Sequence, residues 1–336
     1  MKALNLSTLL PSPQALTVAT LPSPTPSSTQ YLISIRASAC NFFDLLQIRG
    51  KYQHQPTLPW VAGSEFSGVV LSCPPGGKYP VGSRVFGASQ GAFATRVCAD
   101  EAALRPVPDG WGFKDAAGLF VTAPTSYAAL VTRAQVRAGE WVLVHAGAGG
   151  VGLAAIQIAK ALGARVVASA STVEKRDVCT RFGADATVDY SDDGWVKVVM
   201  AITGGKGVDV VYDPVGLVEK SLSACNWNAR VLVVGFAGGK IENMRTNRVL
   251  LKNVSIVGIH WGMYAKKEPE TVQTTWDGIF KLVKEGKFKG TVFDGEPFKG
   301  LKEVGRALEW LEGRKTWGKV VVEIDDEDVG GEKARL

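Results

Sequence analysis

Residues 141–175, WVLVHAGAGGVGLAAIQIAKALGARVVASASTVEK, carry the densest chemical signal in the chain. An apolar, β-branched run at 141–145 leads directly into Gly147, Gly149 and Gly152, spaced as G-x-G-x-x-G. At that spacing the first two glycines allow a tight turn and bring backbone N–H groups close to an anion. The third lets the following helix pack against the strand. Residues 151–162 place Ile156, Ala159 and Leu162 at helical spacing, and Gly163 stands where a C-terminal cap belongs. A helix that starts at such a loop offers unpaired N–H groups and the positive end of its dipole, which is what a diphosphate requires. With a second strand at 164–169 the unit is complete, and Gly147, Ala148, Gly149, Gly150, Val151 and Gly152 are expected to cradle a dinucleotide.

The end of the second strand decides which dinucleotide. Binders of NAD place an Asp or Glu there to hold the ribose hydroxyls, whereas this chain has Ala170, then Ser171 and Thr172. Ser171 and Glu174 have capping-box spacing, which gives Glu174 a role at the helix start. Lys175 and Arg176 fall in the first helical turn, where a cation opposes the dipole unless an anion binds nearby. A 2′-phosphate would be that anion, so NADPH is favoured over NADH. The alternative is that both are ordinary solvated helix charges.

The elements around this unit define the fold. Up to about residue 122 the chain is β-rich, with strand-like runs at 31–37, 65–71, 84–87 and 93–98 separated by Pro, Gly and Ser clusters. Strands are then expected at 141–145, 164–169, 186–189, 208–212, 230–234 and 254–259, with helical stretches between most of them. That alternation implies a doubly wound parallel sheet in an α/β fold. Amphipathic helices are expected at 268–285 and 301–312, and a closing strand at 319–324. The resulting division is 1–122, 123–260 for the dinucleotide domain, and 261–336 returning to the first domain and ending in a mobile, charged tail.

A length of 336 residues suits two domains, and 46% hydrophobic residues suffices for their cores. The net charge of +6 is dispersed, with no long basic block, so nucleic-acid binding is not expected. No apolar run approaches the ~18 residues of a membrane span, and MKALNLSTLL lacks a signal-peptide layout. The five cysteines lack paired spacing, as in a reduced intracellular protein. A cytoplasmic location is therefore expected, although the final Ala334, Arg335 and Leu336 are similar to a peroxisomal address.

The chain resembles the zinc-independent quinone oxidoreductases of the medium-chain dehydrogenase/reductase superfamily. The resemblance rests on ACNFFDLLQIRGKY at 39–52, PWVAGSEFSGVV at 59–70, VGSRVFG at 81–87, TAPTSYAAL at 122–130, the glycine-rich unit itself, FGADATVDY at 182–190, VDVVYDPVG at 208–216, VLVVGFAGG at 231–239 and GKVVVE at 318–323. It implies a GroES-like β-barrel catalytic domain, a Rossmann NADPH domain and a homodimer. It places Asn41, Asp44 and Tyr52 near the nicotinamide, with Tyr52 as the better group to hydrogen-bond an acceptor oxygen. For Asp44 a structural hydrogen-bonding role stands as an equal alternative. Thr125 is implied as a cofactor contact. Lys175 and Arg314 would meet the 2′-phosphate with Ser171 beside them, Tyr190 would flank the adenosine, and Gly235 and Phe236 would cover the nicotinamide.

Zinc-using relatives hold their catalytic metal where this chain resembles them at Asn41, Ser64 and Val121, and none of these is a usable zinc ligand. No metal site is therefore expected. Without a Lewis acid, hydride delivery suits an acceptor already polarised by conjugation, such as a quinone or an α,β-unsaturated carbonyl. An enoyl-thioester or 2-alkenal reductase is the second expectation. A non-catalytic NADPH-binding protein, structural or RNA-associated, is the third.

Overall fold

The computed structural model describes residues 1–325 and 328, so the Ala334–Arg335–Leu336 address lies outside the described residues. The chain divides into two compact units, residues 1–121 with 290–336 and residues 122–289.

The first unit is built around one long strand, Gln30–Cys40, whose β-branched and small residues are buried along almost its whole length. On one side it pairs antiparallel with Glu65–Ser72, which passes the sheet on to Arg84–Ala88 and Leu104–Pro106. Its other side is shared: Arg96–Asp100 covers the first half, and Val320–Glu323 covers the second. A smaller sheet joins Val18–Thr20, Lys2–Leu6 and Trp60–Val61. Two buried clusters fill the unit, one centred on Ile33, Phe66 and Val85, the other on Leu45, Phe93 and Leu308. This is the GroES-like arrangement. One expected strand shifts: 93–98 becomes Arg96–Asp100, because Phe93 turns into the core and Ala94 makes only an isolated bridge to Ala3.

Three strand ends meet in this unit. Cys40 pairs with Val320 and Ala39 with Glu65, so Asn41, Glu65 and Lys319 come together although they are far apart in sequence.

The second unit is a six-stranded parallel sheet in the order Ala186–Val188, Arg165–Ser169, Trp141–Val144, Val208–Asp213, Cys225–Val233, Ser255–Gly258. Its central strands read as continuous apolar runs because helices cover both faces. Val142, Leu143, Val144, Val210 and Val211 are fully buried. The order reverses at Trp141–Val144, so the glycine loop leaves the sheet at the switch point, where α/β sheets bind ligands.

One expectation needs correction. The helix Pro269–Lys284 belongs to this unit, since Trp276 and Ile279 are buried and Gln157 exchanges hydrogen bonds with the Lys289 backbone. The chain therefore returns to the first unit at Gly290, not at 261. The buried Asp328 carboxylate accepts a 2.8 Å hydrogen bond from the Leu301 backbone, and the rest of the expected tail beyond Asp325 lies outside the described residues. Among the described residues no helix is long and apolar enough to cross a membrane.

Candidate active site

The dinucleotide cradle follows the strand Trp141–Val144. The helix Gly150–Ala161 has Gly149 as its N-cap, so the free N–H groups of its first turn are presented at the loop. The left-handed turn falls on Ala146, at φ 47°, while Gly147, Gly149 and Gly152 are absent from the positive-φ positions. They supply space instead. A methyl group on Gly152 would lie 2.3 Å from the Ala146 carbonyl oxygen, and one on Gly147 would lie 2.9 Å from both Ala168 Cβ and Cys179 Sγ. The helix Thr122–Tyr127, which carries Thr125, packs on Gly150–Ala161. Ser126 Oγ lies 2.8 Å from the Val151 carbonyl and 2.9 Å from Tyr212 Oη, which fastens that helix to the cradle.

His145, beneath the loop, is fully buried. Its Nδ1 lies 2.8 Å from Ser169 Oγ and its Nε2 2.8 Å from Ser221 Oγ. The Ser221 hydroxyl donates to the Leu217 carbonyl, so Ser221 accepts from Nε2–H and Ser169 donates to Nδ1. Burial drives the imidazole down to about 4 against the opposing pull of Asp213, so it stays neutral while tying two strand ends to the helix Val218–Ser221.

At the adenosine end Ala170 is buried and brings no carboxylate. The helix cap sits one residue later than expected: Thr172, not Ser171, is the N-cap, and its Oγ1 accepts from the Lys175 backbone at 3.3 Å. The exposed Glu174 carboxyl is held below its usual range by its own backbone N–H and by the Thr172 hydroxyl, and not by the Ser171 backbone that the capping-box spacing suggested. Arg176 donates to Asp189 at 2.8 Å and to the Ala170 carbonyl at 3.2 Å. Lys175 is half-buried in the first turn of the same helix. Ser171 precedes the cap, and Tyr190 follows the third strand, packed on the core. Gly235 and the exposed Phe236 open a loop pinned to its neighbour by Ala237 N to Pro214 O and Gly238 N to Val215 O, both 3.0 Å. Arg314 lies in the first unit, after the helix Val304–Glu312, and is not part of the dinucleotide unit.

In the first unit, Asn41 ends the long strand and caps the helix Phe42–Ile48. Its amide is occupied: Oδ1 accepts from Lys319 Nζ at 2.7 Å, and Nδ2 donates to Glu65 Oε2 at 3.0 Å. Both ends of the Asn41 side chain are therefore held by neighbours inside the first unit. Glu65 is fully buried and pairs with Lys319 at 2.8 Å, and its other oxygen accepts from the Val121 backbone at 2.9 Å. Asp44 is 1% exposed, accepts from the Asn41 backbone at 2.7 Å and lies 3.4 Å from Ser64 Oγ. Burial pushes its carboxyl up to about 7, against the Asn41 hydrogen bond and Lys319. Tyr52 is stacked on Phe43, and burial, then Asp44, raises its phenol above the ordinary range.

Sequence reasoning assigned no role to Glu65, Lys319 or His145. The signals were present as single charges beside apolar β-runs, in GSE and GKVVVE. Among the described residues no group of three His, Cys, Asp or Glu side chains could hold a metal ion.

Residues 150–280 match the family pattern described as zinc-binding dehydrogenase, and residues 27–131 match the alcohol dehydrogenase GroES-like domain. The chain is 34% identical over 309 residues to the quinone oxidoreductase-like protein 2 homolog of Nematostella vectensis, covering 88% of this chain and 82% of that one. It is 32% identical over 250 residues to the quinone oxidoreductase of Homo sapiens, covering 73% and 75%. Among solved structures, the quinone oxidoreductase of Escherichia coli complexed with NADPH superposes with a TM-score of 0.86 at 27% identity, covering 96% of this chain and 100% of that one.

Proposed function

The chain belongs to the quinone oxidoreductase family of the medium-chain dehydrogenase/reductase superfamily, and from that premise we propose that it reduces quinones or similarly conjugated carbonyls with NADPH and without a metal. The observation that carries this reading is the second unit's cradle. Its third glycine has no room for a methyl group, and its adenosine corner has Ala170 where NAD-binding sites have a carboxylate, with Lys175 in the helical turn that follows.

The residues present fit the cofactor. Free N–H groups at Gly150, Val151 and Gly152 face the loop to receive a diphosphate, with Ala148 and Gly149 forming the turn. Lys175 is placed for the 2′-phosphate, beside Ser171 and Tyr190, with Thr125, Gly235 and Phe236 as further contacts. When bound, NADPH supplies the hydride. The chain's own part is to hold that nucleotide, to exclude an alternative charge at Ala170, and to present Tyr52 as a hydrogen-bond donor to an acceptor oxygen. With its phenol raised above the ordinary range, Tyr52 orients the acceptor and is a slow proton donor.

The reading extends to a homodimer. Ser255–Gly258 is an open edge of the parallel sheet, and the preceding helix Thr246–Lys252 has no buried residue, with Leu250 77% and Leu251 71% exposed. We place the protein in the cytoplasm, in keeping with five cysteines that form no disulfide.

The test is NADPH oxidation followed by absorbance, with a panel of quinones, 2-alkenals and enoyl thioesters. Turnover with quinones supports the reading. Turnover confined to enoyl thioesters or alkenals moves the activity to double-bond reduction, and tight NADPH binding with no turnover makes this a binding protein.

A further inference from the structure

The strand order of the second unit fixes where each half of a dinucleotide must lie. The glycine loop follows Trp141–Val144, and the adenosine corner at Ala170 follows its neighbour Arg165–Ser169. A diphosphate at the switch point therefore directs the nicotinamide half the other way, over the ends of Val208–Asp213 and Cys225–Val233. Two loops leave the sheet there. Residues 214–217 follow the first of these strands, and residues 234–245, with Gly235 and Phe236, follow the second.

Two carboxylates clasp these loops together. They receive five successive backbone N–H groups, those of Val215, Gly216, Leu217, Val218 and Glu219. Asp213 Oδ1 accepts from Val215 at 2.8 Å and from Gly216 at 3.0 Å, and its Oδ2 accepts from Leu217. Glu242, from the second loop, accepts from Val218 through Oε2 at 2.7 Å and from Glu219 through Oε1 at 3.3 Å. Glu219 reciprocates, since its carboxylate accepts the Arg245 backbone N–H at 3.2 Å and Arg245 Nε at 3.0 Å. The loops lie so close that a methyl group on Gly238 would stand 2.6 Å from the Val215 carbonyl oxygen.

The two carboxylates differ in what they hold. Asp213 is 1% exposed and ends its own strand, so it shapes the turn that directly follows it. Glu242 is only partly buried and reaches that turn from the neighbouring loop. We infer that Glu242 is a positioning residue for the coenzyme: by clasping residues 234–245 onto the turn after Asp213, it holds Gly235 and Phe236 over the nicotinamide half. The inference rests on the NADPH-reductase reading above. NADPH and NADH share that half, so Glu242 acts equally on both, in contrast to a residue at the 2′-phosphate.

The experiment compares the unaltered protein with Glu242→Ala and Glu242→Gln by limited trypsin digestion, by calorimetric titration with NADPH and NADH, and by kcat with para-benzoquinone at saturating NADPH. Trypsin cuts after Lys240 when the loop opens, and its rate follows the open fraction. Loss of two hydrogen bonds to a charged acceptor should speed that cut at least about tenfold in Glu242→Ala. A coenzyme that needs the clasped loop loses affinity in proportion to the clasped fraction, so both coenzymes should bind about tenfold more weakly. Saturating NADPH closes the loop again, and kcat should stay within about threefold. Glu242→Gln, which keeps one acceptor oxygen, should fall between the other two proteins. An unchanged cleavage rate in Glu242→Ala would overturn the clasp. Faster cleavage with unchanged affinities would overturn the positioning role, and a loss confined to NADPH would overturn its place at the nicotinamide half. Absence of turnover by the unaltered protein with every acceptor would overturn the reductase reading instead, while cleavage and affinity would still decide the role of Glu242.

Discussion

Replacing Asp44 by Asn keeps the shape of the side chain and the acceptor for the Asn41 N–H, and removes only the ionisation. Buried at 1% exposure, Asp44 has its carboxyl raised from an ordinary 3.8 to about 7, chiefly by burial. A folded-state value above the unfolded one means that the protonated group contributes stability at low pH. That stability is lost as pH rises through about 7. At about 1.4 kcal/mol per pH unit, roughly 3 kcal/mol should disappear between pH 5 and pH 8. Urea unfolding of both proteins across that range provides the assay. Their difference isolates Asp44 from other titrating groups, among them His145, whose depressed value makes the fold lose stability on acidification instead. Asp44→Asn should gain about 3 kcal/mol relative to the unaltered protein from pH 5 to pH 8. A difference that stays flat with pH would refute the claim that Asp44 is forced toward neutrality by its surroundings.

Gly152→Ala places a methyl group 2.3 Å from the Ala146 carbonyl, so the loop must move, and NADPH affinity by calorimetry should fall at least about tenfold. Gly149→Ala, whose nearest neighbour is at 3.2 Å, should lose less in the same titration. Lys175→Ala should raise KM for NADPH by roughly 10- to 100-fold, the value of a charge-assisted hydrogen bond, and leave KM for NADH unchanged. Lys319→Met strands Glu65 as a buried charge and should cost about 3–5 kcal/mol in chemical denaturation. Adding Glu65→Gln should recover part of that loss. Leu250→Glu with Leu251→Glu should convert the proposed dimer to monomer in sedimentation.

The sequence made the dinucleotide unit legible because its determinants are local: a β-branched run, glycines at fixed spacing and a capped helix lie within about 30 residues, the span of one βαβ unit. It located the six parallel strands for the same reason, since residues buried on both faces read as apolar runs. What it missed depends on distant pairing. Glu65 and Lys319 lie 254 positions apart and meet only because both flank the strand Gln30–Cys40. No periodicity marks that. The same long-range pairing gives the Asn41 amide its two partners, Lys319 and Glu65, which the sequence did not disclose. The return at Gly290 was placed too early because an amphipathic helix does not show which unit its apolar face covers, and Trp276 and Ile279 settle that only by packing. The left-handed turn at Ala146 was missed because a non-glycine residue occupies it.

The central claim is that the cradle delivers reducing equivalents from NADPH to a conjugated carbonyl. Rapid mixing of the protein with NADPH and para-benzoquinone under argon, with hydroquinone quantified, tests it directly. The account predicts one hydroquinone formed per NADPH consumed, with NADH at least about tenfold less efficient in kcat/KM. Bound NADPH that persists unconsumed, or a preference for NADH, would contradict it.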